Sequence, residues 1–141
     1  MPEQTIPYKK PLPVMTGLTK EFYDHCKRHQ LSFQRCLNCS AWRHVPQDMC
    51  ALCNSMKWEW APSTGRGRVY TWFVAHRPLF PEFGDDVPYA VGVIEMEEGV
   101  RLAAQIIDCP PDEIRFDMSV QVAYDDVTPE VTLPKFRPAK V

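Results

Sequence analysis

Cys36-Leu-Asn-Cys39-Ser-Ala-Trp-Arg-His-Val-Pro-Gln-Asp-Met-Cys50-Ala-Leu-Cys53 is the stretch on which the fold turns. It holds two CxxC pairs separated by ten residues. A CxxC turn aims two thiolates at one point and leaves later backbone N–H groups to bond the sulfurs. Two such turns complete a tetrahedral S₄ site, the ligand set of structural zinc. The gap is shorter than the commonest ribbon spacing and suits a β-hairpin running out and back between the pairs. A redox dithiol or a disulfide would fit one pair. Two tandem pairs in a chain with no secretory signal point instead to a metal on Cys36, Cys39, Cys50 and Cys53. The ligand set alone admits iron as well as zinc. Cys26 and Cys109 stand apart and read as small buried apolar residues.

Outward from this stretch the periodicity is short. Leu31-Ser-Phe33-Gln alternates into the first pair, Ala41 to Val45 is the returning strand ended by Pro46, and Lys57 to Trp60 leaves the second pair. Residues 31–61 therefore read as a rubredoxin-like zinc ribbon with little core of its own. Before it, Leu18, Phe22 and Cys26 recur every four residues, so a helix is expected from about Thr16 to Arg28. Thr16 or Thr19 would cap it, Lys27, Arg28 and His29 suit its C-terminal end, and Phe22 and Tyr23 face the core. Pro2, Pro7, Pro11 and Pro13 make residues 1–15 an extended arm, so residues 1–30 read as arm and helix.

After Pro62 the pattern is β. Gly65-Arg-Gly67 is a turn and Arg68 to Arg77 a long alternating strand, with Val69, Thr71, Phe73 and Ala75 opposite Tyr70, Trp72, Val74 and His76. A loop from Pro78 to Pro88 follows. Further strands are expected at Tyr89–Glu97, Val100–Asp108 and Ser119–Tyr124, with a short helical connector at Pro110–Ile114. Val131 to Phe136, interrupted at Pro134, is either a fifth strand or an extended C-terminal tail. Residues 62–128 thus predict a five-stranded OB-fold barrel, with 129–141 as the C-terminal strand or tail. An SH3-like barrel is the runner-up, disfavoured by the connector after the third strand. The fold class is mainly β.

With 141 residues, 45% of them hydrophobic and 24% charged, the chain suits one ordinary domain or two small ones. It has no apolar run near the ~20 residues of a membrane span, and a cytoplasmic location is expected. Residues 1–60 carry eight basic and five acidic side chains, and residues 61–141 eight and thirteen, so +3 and −5 give the net −2.

One resemblance covers about Leu12 to Pro138. The helix, Gln34-Arg35-Cys36, the two CxxC pairs, Gly65-Arg-Gly-Arg-Val-Tyr-Thr, His76-Arg-Pro-Leu-Phe-Pro-Glu-Phe, Val87-Pro88-Tyr89, Glu98-Gly99 and Val131-Thr-Leu-Pro-Lys-Phe-Arg-Pro occur in that order. The chain resembles the zinc-ribbon/OB-fold family long catalogued as a domain of unknown function, whose members accompany thiolases, thiolase-like aldolases and acyl-CoA hydratases. The resemblance implies a non-catalytic accessory subunit in a hetero-oligomer. A thiolase-fold partner would do the chemistry on an acyl-CoA, as β-ketoacyl-CoA or aldol cleavage. It also implies zinc on the four cysteines.

The residues agree that catalysis is absent: His25, His29, His44 and His76 are scattered, and a Cys₄ metal has no open position. For coenzyme A, whose phosphates suit arginine forks and lysine, the candidates are Arg66, Arg68, His76, Arg77, Lys135 and Arg137, with Trp72 and Phe136 offering apolar surface. For the partner, the candidates are Leu79, Phe80 and Phe83 in the Pro78–Pro88 loop, Leu133 in the tail, and the extended ends. The alternative is a single-stranded nucleic-acid-binding OB-fold, with Tyr70, Trp72 and Phe73 as stacking platforms. The acidic balance of residues 61–141 opposes it.

Overall fold

The computed structural model describes residues 8–139; the start of the expected arm and the last two residues lie outside them. Residues 8–15 form no helix or strand. Helix α1, Gly17–Lys27, buries Phe22 and Cys26 on one face, as their four-residue spacing requires. Thr16 occupies the cap position in an extended conformation, but neither expected side-chain cap forms there. The Thr16 carbonyl accepts the Lys20 N–H at 3.2 Å, and Lys20 pairs with Asp24 at 2.7 Å instead.

The ribbon is a three-stranded antiparallel sheet in the order β2-β1-β3: β1 is Ser32–Cys36, β2 Trp42–Arg43 and β3 Trp58–Pro62. The returning strand is two residues long rather than the five expected. Pro46 has no N–H to extend a ladder, and Gln47 bonds a side chain instead. The fully buried Gln34 amide donates to the Gln47 carbonyl (2.9 Å) and accepts its N–H (2.7 Å), while Arg43 Nε reaches Gln34 Oε1 at 3.0 Å. This network fixes the turn at residues 44–46, where the His44 ring lies against Phe22 and Phe33.

Five strands close the barrel: β4 Arg66–Ala75, β5 Tyr89–Met96, β6 Arg101–Ile106, β7 Ser119–Asp126 and β8 Thr132–Pro138. Their order is β4-β5-β6-β8-β7, with β7 returning to β4 and with β6 and β8 parallel. A short 3₁₀ turn, Pro111–Glu113, joins β6 to β7. This is the Greek-key closure of an OB-fold, and the SH3-like alternative falls.

One expectation needs correction and one open alternative is decided. Strand β4 begins at Arg66, and its alternation breaks: Val69 pairs with Ile94 and Thr71 with Val93, leaving Tyr70 as a bulge. Past that extra residue every side chain changes face. Val69 is buried, Trp72 and Val74 pack against the core, and Phe73, expected beside Val69, is exposed. Second, residues 132–138 form no free tail. Strand β8 pairs with β7 from Asp126↔Thr132 to Val120↔Pro138, and Phe136 is fully buried. The core is continuous from Phe22, Leu31 and Phe33 through Val69, Ile94, Ile106 and Val120 to Phe136. Cys26 lies inside it, where burial pushes its thiol up to about 12; Cys109 is only half-buried. Among the described residues no helix is long and apolar enough to cross a membrane.

Candidate functional site

The four cysteines converge. Their Sγ atoms all lie within 4.8 Å of one another, with Cys36–Cys53 and Cys39–Cys50 at 3.6 Å. A tetrahedron with metal–sulfur bonds of ~2.3 Å has edges of about 3.8 Å, so the residues fit a tetrahedral thiolate-bound metal. The two turns are built alike. Ser40 N–H bonds the Cys36 carbonyl at 3.0 Å and Asn54 N–H the Cys50 carbonyl at 2.9 Å. Ser40 and Asn54, each directly after the second cysteine of its pair, both adopt φ 63°. Cys36 N–H then bonds Ala41 O and Cys50 N–H bonds Ser55 O. This left-handed step turns each loop back on its sulfurs; Asn tolerates it well and Ser less so.

The N–H groups of the turns also favour thiolate. The Cys39 N–H, helped by that of Asn38 (3.4 Å), holds Cys36 below the ordinary thiol range. The Cys53 and Leu52 N–H groups do the same for Cys50, and the Asn38 side chain and Ser55 N–H for Cys53. Cys39 is the exception: the Ala41 N–H lowers it, but burial and the neighbouring sulfurs together push it up to about 11. All four positions of a tetrahedral ion would be filled by protein, so such a metal offers no open site for a substrate.

The coenzyme A candidates do not converge. Arg68 bonds Glu95 at 2.6 Å and approaches Asp117, and Lys135 bonds Asp125 at 2.6 Å, so both are already paired. Phe136 has no exposed surface, and Trp72 is half-buried against Phe116. Arg66 and Arg137 both stand opposite Gln121 in the ladders, so they share an outer row across β4, β7 and β8. His76 and Arg77 are exposed beyond the other end of β4, next to the Pro78–Pro88 loop. In that loop Leu79 is 79% and Phe80 52% exposed, whereas Phe83 packs near Tyr89. Leu133 is half-buried.

No nucleophile–base pair forms among the described residues. His29 Nε2 bonds Asp126 at 2.9 Å and lies flat on Tyr124, and Thr132 bonds the same carboxylate. Hydroxyl and imidazole share an acceptor without touching, an arrangement that fastens the helix end to β7.

Reading the residues alone missed a cleft of about 600 Å³ between α1, the 44–46 turn and the outer wall of β5, β6 and β8. It also missed His44, which lines the cleft, and Gln34, whose bonds to Gln47 and Arg43 hold the turn that carries it. Nothing in their local sequence marks them, because both act through long-range contacts.

Residues 60–125 match the family model described as ChsH2, C-terminal OB-fold domain. Over 118 residues the chain is 31% identical to a DUF35 domain-containing scaffold protein of Methanothermobacter thermautotrophicus, covering 83% of this chain and 88% of that one. The chain belongs to the DUF35 family. A second relative is the probable enoyl-CoA hydratase alpha subunit of Thermomonospora curvata, 36% identical over 130 residues. That match takes in 92% of this chain and 40% of the relative, so the DUF35 chain spans well under two thirds of the hydratase subunit's length. A chain in the structure of an Ltp2-ChsH2(DUF35) aldolase superposes with a TM-score of 0.84 at 36% identity, over 92% of this chain and 100% of that one.

Proposed function

We propose that this DUF35 chain is a non-catalytic accessory subunit of a hetero-oligomeric, acyl-CoA-processing complex in the cytoplasm. Its partner has the thiolase fold and carries out β-ketoacyl-CoA or aldol cleavage; this chain stabilises that partner and contributes to holding coenzyme A. The observation that carries the reading is the closed four-thiolate centre in a chain with no nucleophile–base pair among its described residues. It is supported by the likeness along its length to the ChsH2(DUF35) chain of an aldolase complex. The metal is zinc, and it supplies folding energy to a ribbon with little core rather than chemistry.

Of the candidates with no ion pair among the described residues, Arg66 and Arg137 share one outer row and are the pair placed to meet a coenzyme A phosphate together, while His76 and Arg77 lie beyond the other end of β4. Leu79 and Phe80 supply apolar surface for the partner. The pairing of Arg68, Arg101 and Lys135 with carboxylates weakens the nucleic-acid alternative, which needs unpaired basic groups along a groove.

The test is co-expression with a thiolase-fold protein encoded beside it, followed by size-exclusion chromatography and a β-ketoacyl-CoA cleavage assay. The two should co-elute and turn over substrate together, while the isolated chain is inert. Turnover by the pure chain alone, or separate elution with full activity in the other protein, overturns the reading.

A further inference from the structure

Strands β4 and β5 stay paired as far as Ala75↔Tyr89, so residues 76–88 connect them with no ladder of their own. Connections longer than about 12 residues with little secondary structure are uncommon in a compact domain, and they are usually functional or disordered. Inside this one the backbone closes a single 3₁₀ turn, Pro81–Phe83, with the Phe83 N–H on the Phe80 carbonyl and the Gly84 N–H on the Pro81 carbonyl, both at 3.0 Å. Of residues 78–88 only Phe83, Asp86 and Val87 are half-buried; the others, Leu79 and Phe80 among them, are exposed.

One side chain of the N-terminal arm meets two of those three. Lys10 pairs with the Asp86 carboxylate, and its Nζ lies 5.7 Å from the Phe83 ring centroid and 5.9 Å from that of Tyr8. Both distances fall within the ~6 Å over which an ammonium is attracted to an aromatic face. The paired side chains are only 28% and 33% exposed, so solvent screens them less than it does a fully exposed pair. The bond to Asp86 holds Lys10 above the ordinary lysine range, so it stays charged. Phe83 also stacks on Tyr89 at 5.8 Å, which ties the same ring to the first residue of β5.

The arm itself is seated by side chains. Among the described residues no backbone–backbone hydrogen bond joins residues 8–13 to the barrel. Tyr8, Lys10 and Pro11 instead line a crevice of about 120 Å³ with Phe83 and Asp86 of the loop and Leu133 of β8. A segment without backbone bonds to its neighbours opens locally at low free energy, without unfolding what it covers.

We propose that Lys10 is a positioning residue: residues 8–11 strap the Pro78–Pro88 loop to the barrel through Asp86 and Phe83, and this sets the direction in which Leu79 and Phe80 face the catalytic subunit. A loop fixed before encounter loses less conformational freedom on docking. The docking step rests on the accessory-subunit reading; the strap is a property of this chain alone.

The experiment is amide hydrogen exchange, followed residue by residue by NMR on the full, metal-loaded chain. Lys10→Met keeps the length of the side chain and removes its charge, and Asp86→Asn removes the other half of the pair. Each should speed exchange of the Phe83, Gly84 and Asp86 amides, about fivefold for Lys10→Met, while the Ile94 and Val120 amides and the unfolding midpoint hold. The double variant should exchange no faster than Lys10→Met, because both substitutions remove one interaction. Lys9→Met, the same charge change at the exposed neighbour, should alter nothing. Calorimetric titration with the thiolase-fold protein encoded beside this chain reads the docking step: Lys10→Met should weaken binding about fivefold with Leu79 and Phe80 intact. Unchanged loop exchange in Lys10→Met, additive effects in the double variant, or an equal effect of Lys9→Met would overturn the strap. A loosened loop with undiminished binding would overturn the positioning role. Failure of the unmodified chain to bind that protein would overturn the accessory reading instead, and the strap would still stand or fall on the exchange rates.

Discussion

Leu133 and Phe136 sit three residues apart in β8, and their fates should differ sharply. Phe136 is fully buried between Ile106 and Val122, and its carbonyl accepts the Ile107 N–H at 2.7 Å. Truncating a buried phenylalanine to alanine removes its transfer energy and leaves a cavity, a loss of about 3–5 kcal/mol. Leu133 lies half-buried on the rim of an open cleft, so Leu133→Ala should lose about 1 kcal/mol or less. With a urea m-value of about 2 kcal/mol/M, these losses become midpoint shifts of about 2 M for Phe136→Ala and about 0.5 M for Leu133→Ala. Tryptophan fluorescence reports the transition, with zinc in excess so that metal release does not add a second one. Were residues 132–138 a docking arm, neither substitution would move the midpoint. Equal shifts for the two variants, or a loss below about 1 kcal/mol for Phe136→Ala, would refute the assignment of β8 as a barrel strand.

Three further outcomes follow from the geometry. Cys50→Ser should release the single metal and unfold the ribbon, read by elemental analysis and by loss of amide protection over residues 32–62 with the barrel retained. A Cβ at Gly67 would stand 2.6 Å from the Glu95 carbonyl oxygen and 2.8 Å from Ile94 Cγ2. Gly67→Ala should therefore push β4 off β5 and lower Tm by about 5–10 °C. His44 has a folded pKa of about 4, below its ordinary unfolded value, because burial disfavours the charged ring. Its contribution is complete above the unfolded value near ~6.5 and is lost as pH falls toward the folded one, since the unfolded state then binds more protons. Chemical denaturation from pH 7.5 to 5 should show that slope in the parent chain and a flatter one in His44→Phe; identical slopes would contradict it.

The parts of the molecule legible in the sequence are those set by short spacing. Cys36, Cys39, Cys50 and Cys53 declare their site because each turn is local, and the Phe22–Cys26 spacing declares the buried face of α1. The Tyr70 bulge leaves no mark, since an extra residue in an alternating run of apolar and aromatic side chains preserves its appearance while reversing its faces. Strand β8 stays open between strand and tail in the sequence because of Pro134, yet that proline lies where β8 has only β7 for a ladder partner, so its missing N–H disturbs no second ladder. The basic candidates could not be sorted by type. Arg68 and Arg101 flank Glu95 only through the register of three strands, and Lys135 meets Asp125 only because β8 joins the barrel.

The Ser63 N–H bonds the Leu31 carbonyl at 2.8 Å, immediately outside the first and last residues of the ribbon sheet. The excursion of residues 32–62, which carries the four cysteines, therefore leaves the rest of the chain and rejoins it at a single doorway. Such a segment is a cassette. It can be lengthened, shortened or exchanged over evolutionary time without moving the ends of α1 and β4, and an engineer can splice in another metal ribbon at the same two residues. The contacts that resist the exchange are nameable: Phe33 in the core it shares with Phe22, His44 against Phe22, and Trp60 against His25 with its Nε1 on Glu21 at 3.3 Å. A transplanted ribbon that restores those contacts should inherit its seat on the barrel along with them.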